Sequence, residues 1–319
     1  MTTGQQQLRK VLAAPWLWAF LAAFLVWLAT ITFTRGQGAG EVLTAALAFG
    51  TFSVIVGIGQ MYVITLGPGN VDLSIPATMT FAGAVSMKIM ATQDAMILPG
   101  LLIALVCGAG IGTFNYGLIR VLRIPPIIAT LSSSFVFLSA AIAYGRGIKI
   151  KPPPMLADFA TGRLGGIPIL AICFVVFAAV MSVVLHRTVY GRSVIAIGQN
   201  PRAARLSGIN VDWTRFATYV MSGTLAGLCG YLFSGFSGGA SLNMGAEFLL
   251  ASIAVVVIGG TSVAGGFSNV PGLWGAALFM FLLVTMLNTF GLGAGVRLIM
   301  TGLIIVAVIT IAGGQKSER

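Results

Sequence analysis
The chain has 319 residues, of which 57% are hydrophobic and only 8% are Asp, Glu, Lys or Arg, with a net charge of +11. A soluble domain carries about 25% charged residues, and a large soluble fold of this composition would expose more apolar surface than water tolerates. The basic excess does not point to nucleic acid, because the Lys and Arg residues sit at the ends of apolar runs, where membrane topology is set, and not on one basic domain.

A membrane-spanning helix needs about 20 mostly apolar residues. The polar start Met1–Lys10 ends in Arg9-Lys10, and the apolar run Val11–Phe33 follows at once. That run is too long for a cleaved leader and reads as an uncleaved first span. Further stretches without any charged residue cover 42–71, 95–119, 124–145, 164–185, 216–246, 248–296 and 298–315. They predict an all-α polytopic membrane protein, one transmembrane domain over residues 1–319 with about ten spans. The spans fall near 13–33, 43–66, 72–91, 96–118, 126–144, 166–186, 214–234, 245–263, 271–290 and 296–313. An even number puts both termini on one side.

The positive-inside bias selects the cytoplasm for them. Arg9, Lys10, Arg120, Arg123, Arg187, Arg192, Arg202, Arg205, Arg215, Lys316 and Arg319 then face inward. Arg35, Lys88, Arg146, Lys149, Lys151, Arg163 and Arg297 face outward or lie at that membrane edge. Two loops are long. The outer one, Gly145–Gly165, carries Pro152-Pro153-Pro154, which makes it stiff and extended. The inner one, Arg187–Trp213, is the only sizeable cytoplasmic segment.

Helix breakers interrupt the apolar pattern at Leu66-Gly67-Pro68-Gly69-Asn70, with Pro76 soon after, at Pro125-Pro126, and at Gly259-Gly260, Gly265-Gly266 and Pro271-Gly272. Backbone breaks at membrane depth survive only where protein or a polar cavity satisfies the freed groups, and such breaks often mark a transport path. Pro125-Pro126 reads as an interfacial turn. Gly67–Asn70 fits an interfacial turn and a path element equally. Asp72 or Asn70 supplies a cap for the next helix, or faces a passing solute. The pairs Gly108/Gly112 and Gly223/Gly227 have the small-xxx-small spacing of closely packed helices.

Within the inner loop, Asn200 is a good N-cap and Pro201 suits the first helical position. Arg202, Ala203, Ala204, Arg205, Leu206 and Ser207 continue the turn, and Gly208 can close it in the left-handed conformation. So short a helix is marginal by itself; it is expected to dock onto a partner, with Ala204 on the docking face. No Gly-Lys pair occurs, so no P-loop is present and ATP hydrolysis, if used, belongs to a partner. Only Asp72 and Glu247 among the carboxylates reach membrane depth, too few for a convincing proton relay. The three cysteines, Cys107, Cys173 and Cys229, lie in apolar stretches, and His186 sits at a span end. No catalytic residue, cofactor or metal site is expected.

Three separated segments resemble the ribose-type permeases of bacterial ATP-binding-cassette (ABC) importers: Gly69-Asn70-Val71-Asp72-Leu73-Ser74-Ile75, Gly191-Arg192 with Ala196–Pro201 and Ala203–Ile209, and Gly245–Leu249 with Ile253–Ser262 and Gly265-Gly266. The resemblance covers nearly the whole chain. Pro68-Gly69-Asn70 replaces a usual Gly pair, and Pro76 a usual Gly; both leave the sugar's identity open. The family implies the type-II importer architecture, a second permease copy in a homo- or heterodimer, a cytoplasmic ABC ATPase and a periplasmic solute-binding protein. In that picture the chain sits in the inner membrane and imports a monosaccharide or related polyol. Asn200–Gly208 is then the coupling helix of the 187–213 loop, and Gly69, Asn70, Asp72, Ser74 and Glu247 border the substrate path. A nucleoside or branched-chain amino acid permease, or an ATP-independent secondary carrier, remains the alternative.

Overall fold
The computed structural model describes residues 15–145, 150–291 and 293–313. The helices are α1 (Pro15–Phe33), α2 (Ala39–Thr65), α3 (Ile75–Met90), α4 (Ile97–Val121), α5 (Pro126–Gly145), α6 (Pro154–Thr161), α7 (Ile169–Arg187), α8 (Val189–Gln199), α9 (Pro201–Leu206), α10 (Val211–Phe236), α11 (Phe248–Ile258), α12 (Val270–Thr289) and α13 (Ala294–Gly313). A two-residue hairpin pairs β1 (Arg163–Leu164) with β2 (Ile167–Pro168). Arg9, Lys10, Arg146, Lys149, Lys316 and Arg319 lie outside the described residues.

The all-α polytopic fold holds, but the count of ten spans does not follow. Among the described residues seven helices are long and apolar enough to cross a membrane: α1, α2, α4, α5, α7, α10 and α12. The third predicted span forms only the 16-residue α3, about 24 Å of helix. The eighth forms the 11-residue α11, about 16 Å. Each falls short of an apolar core about 30 Å thick. Polar and glycine-rich segments precede α3 and flank α11, so local sequence cuts both helices short. The tenth is the 20-residue α13.

α2 and α10 form the centre. Phe52, Ile55, Ile58, Met61 and Tyr62 of α2 and Tyr219, Ala226 and Cys229 of α10 are fully buried. Gly108 and Gly112 of α4 face Gly223 and Gly227 of α10 directly: a Cβ on Gly223 would lie 2.2 Å from the Gly108 carbonyl oxygen. Phe52 packs edge-on to Phe233, with ring centroids 5.0 Å apart. By contrast, Leu98, Leu102, Val106, Phe135, Val136, Val176 and Val180 are exposed on the outer helices, an apolar surface suited to lipid.

Both long loops hold more structure than their composition predicts. In the 145–165 loop, Pro154 opens α6, whose Leu156 and Ala160 are buried while Met155 and Phe159 are exposed. Asp94 ties it down by accepting the Met155 N–H at 3.0 Å. In the 187–213 loop, α8 precedes the expected short helix. Thr188 caps α8 by accepting the Gly191 N–H at 3.1 Å.

Candidate functional site
The backbone leaves helical geometry at the end of α2. Gly67 and Gly69 take φ values of +120° and +79°, and the Asn70 side chain bonds the Gly67 carbonyl at 3.1 Å. The chain then turns into a buried polar network. Asp72 is only 2% exposed. One carboxylate oxygen accepts the Ser74 N–H at 3.0 Å and the Ser74 hydroxyl at 2.6 Å, and the other accepts the Ser222 hydroxyl at 2.7 Å. The Asp72 N–H donates to Gln60 Oε1 at 3.1 Å. Asn115 donates to Ser74 Oγ at 2.7 Å, and the Ser133 hydroxyl donates to Asn115 Oδ1. Thr130 Oγ1 accepts the Leu73 N–H at 3.0 Å. Side chains from α2, α4, α5 and α10 therefore satisfy the unwound backbone, as a break at membrane depth requires.

The two proposed roles of this segment divide by residue. Ser74 is the N-cap residue of α3, yet its side chain makes no cap bond. Asp72, two residues earlier, accepts the Ser74 N–H itself. Asn70 does not cap α3; its Oδ1 accepts the Tyr219 hydroxyl at 3.2 Å. Asp72 and Ser74 are both buried. Their hydrogen-bonding groups are engaged within the protein, because an unmet polar group in an apolar layer costs about 2–7 kcal/mol. Gly69 is exposed and Asn70 half-buried.

A second irregular segment, residues 237–247, follows α10. It packs on α3: a Cβ on Gly245 would lie 2.1 Å from the Pro76 carbonyl oxygen, and a Cβ on Gly83 2.2 Å from the Met244 methyl. The N-terminal ends of α3 and α11 thus approach each other. Ser222, which holds Asp72, lies 11 residues into α10, about 16 Å from its N-terminal end. Glu247 is the exposed N-cap residue of α11.

Between α7 and α10 the chain forms α8 and α9. Asn200 Oδ1 accepts the N–H groups of Arg202 and Ala203, both at 3.0 Å. Pro201 opens α9, and Gly208, at φ +84°, closes it. The closing bonds run from Ile209 N–H to the Ala204 carbonyl and from Gly208 N–H to the Arg205 carbonyl, at 3.1 Å each, a Schellman arrangement. Pro201, Arg202, Ala203, Arg205, Leu206, Ser207 and Gly208 are exposed, and Leu206 is 90% exposed. Ala204 corrects the sequence expectation: it is 4% exposed, turned into the protein, and anchors α9 rather than presenting a docking face. Beneath it, Tyr190 of α8 stacks on Tyr62 with centroids 6.1 Å apart and shares a 2.9 Å hydrogen bond with Thr218. Burial pushes the Tyr190 phenol up to about 12, so it stays neutral and serves packing.

Sequence reading missed Gln60, Asn115, Ser133, Tyr219 and Ser222. Their signal was present: isolated polar residues inside apolar spans must find partners within the bundle. It did not say which partners.

The profile of a family described as "Branched-chain amino acid transport system / permease component" matches residues 42–309. The chain is 30% identical over 248 residues to the autoinducer 2 import system permease protein LsrD of Escherichia coli, covering 76% of this chain and 75% of that protein. The same protein of Shigella flexneri matches to the same extent, 30% over 248 residues. A probable ABC transporter permease protein, y4mJ, of Sinorhizobium fredii is 30% identical over 289 residues, 88% of this chain and 86% of that one. No solved structure matches. The chain belongs to the branched-chain amino acid transport system permease family and is a multi-pass permease subunit of an ABC importer.

Proposed function
We propose that this permease imports a monosaccharide or related polyol, working as one of two permease copies over a cytoplasmic ABC ATPase and receiving solute from a periplasmic binding protein. Both termini face the cytoplasm, and the chain itself does not hydrolyse ATP. The observation that carries this reading is α9, a short helix capped at both ends, anchored by Ala204, with Leu206 thrust 90% exposed from the inner surface. A carrier working alone has no use for such a helix. Gly69, Asn70 and Glu247 border the path, while Asp72 and Ser74 hold the break in shape behind it. The import of autoinducer 2 by similar permeases supports a solute of sugar-like chemistry.

The test is purification from the native membrane. The unsubstituted chain should bring an ATPase with it, and Leu206→Asp should cut that recovery by at least about tenfold, as loss of an interface anchor does. Equal recovery would remove the docking role of α9. Orientation is checked separately. Ala203→Cys should react with an impermeant maleimide only in inside-out vesicles, and Asp158→Cys only in intact cells or spheroplasts; the reverse pattern overturns the topology.

A further inference from the structure
Three segments remote in sequence meet backbone to backbone beside α9. The Gly266 N–H, in the loop between α11 and α12, donates to the carbonyl of Thr65, the last residue of α2, at 3.0 Å. Gly198, next to last in α8, fills the same corner: a Cβ there would lie 1.9 Å from Thr65 O and 2.3 Å from Gly266 N. A Cβ on Gly265 would lie 2.3 Å from Gly67 Cα. Gln199, the last residue of α8, donates from Nε2 to the Gly266 carbonyl at 3.4 Å. Asn200, the next residue, caps α9. On the other side, Gly67 starts the break that leads, through Asn70, to Asp72.

We infer that this glycine junction is the positioning element that carries movement of α9 into the Gly67–Ser74 break. The inference rests on the reading of α9 as the ATPase-docking helix. Side chains between two moving elements can yield by changing rotamer. Backbones in direct contact cannot, so a shift of Gly198 and Gln199 must displace Thr65, Gly67 and Gly266 or break their contacts. Pro68 and Gly69, which follow the junction, are exposed. Tyr219 and Asn70 then pass the displacement to α10.

The test needs no identified solute. In a cysteine-free background, the assembled transporter in inside-out vesicles carries either Ser207→Cys, an exposed and nearly isosteric change on α9, or Pro68→Cys, and maleimide labelling is followed with and without ATP and vanadate. Labelling of Ser207→Cys should be suppressed by the ATPase. Labelling of Pro68→Cys should change at least about threefold with nucleotide, a modest population shift. Gly198→Ala, added to Pro68→Cys, should abolish that change while the ATPase stays bound. Where Gly198→Ala lowers insertion, Gln199→Ala decides: it adds no atoms, removes one bond and should at least halve the response. If Ser207→Cys is unprotected, the reading of α9 fails and the inference falls with it. If Ser207→Cys is protected but Pro68→Cys ignores nucleotide, or responds equally in both junction variants, the inference alone is overturned.

Discussion
Gly223→Val is expected to remove almost all recoverable protein, and Gly223→Ala to cost about 2–3 kcal/mol of stability, the upper range for overpacking. The reason is the crossing of α4 and α10. A Cβ on Gly223 would stand 2.2 Å from the carbonyl oxygen of Gly108, and one on Gly108 would stand 2.2 Å from the carbonyl oxygen of Gly223. Neither obstacle is a side chain that can rotate away. The helices must separate, and in lipid their association depends on close van der Waals contact, since no hydrophobic force drives them back together. α10 also carries Tyr219 and Ser222, so separation would strip Asn70 and Asp72 of partners. Gly110, two residues along α4, borders open space: a Cβ there would meet nothing within 4 Å. Gly110→Ala should therefore be neutral or slightly stabilising. The measurement is yield and thermal unfolding of the detergent-purified protein. Equal behaviour of Gly223→Ala and Gly110→Ala would show that the crossing tolerates a wider spacing.

The two glycine pairs show how far the sequence reaches. Their spacing announces close packing, and each pair is legible alone. That they are partners is a tertiary fact, set by how α4 and α10 are brought together. The cap at Asn200, the proline at Pro201 and the closing glycine at Gly208 are local signals, and local rules suffice for α9. Ala204 is a harder case. A six-residue helix has too few positions to show which face is apolar, so its inward turn depends on what lies beneath. The short helices α3 and α11 were hidden for a different reason. The segments 72–91 and 245–263 are apolar enough along their length to register as full spans, while the break geometry is decided by Gly67, Gly69 and Gly245 and by contacts made far away in sequence. The junction at Gly198 and Gly266 has no sequence signal at all beyond the glycines themselves, because it consists of backbone atoms.

Asp72→Ala should lose most of the inserted protein, whereas Asp72→Asn should stay within about twofold of the unsubstituted level, the scatter expected of a change below about 0.5 kcal/mol. Alanine leaves three donors without an acceptor: the Ser74 N–H, the Ser74 hydroxyl and the Ser222 hydroxyl. Each buried orphan costs about 1–3 kcal/mol. The Ser74 N–H matters most, since a backbone group at membrane depth has no water to turn to. The hydroxyls can find carbonyls within their own helices, as Thr78 does with the Ser74 carbonyl at 2.9 Å, which limits their share. Asparagine keeps an oxygen for Ser74, and its amide can donate to Ser222 Oγ once that hydroxyl reverses. It removes only the charge. Because Asp72 is buried and faces the protein, uptake in proteoliposomes holding the assembled transporter should persist in Asp72→Asn. Loss of uptake in Asp72→Asn with normal assembly would instead place the carboxylate on the solute's path during transport. Normal levels of Asp72→Ala would show that the break is held by Gln60, Thr130 and the glycine junction without it.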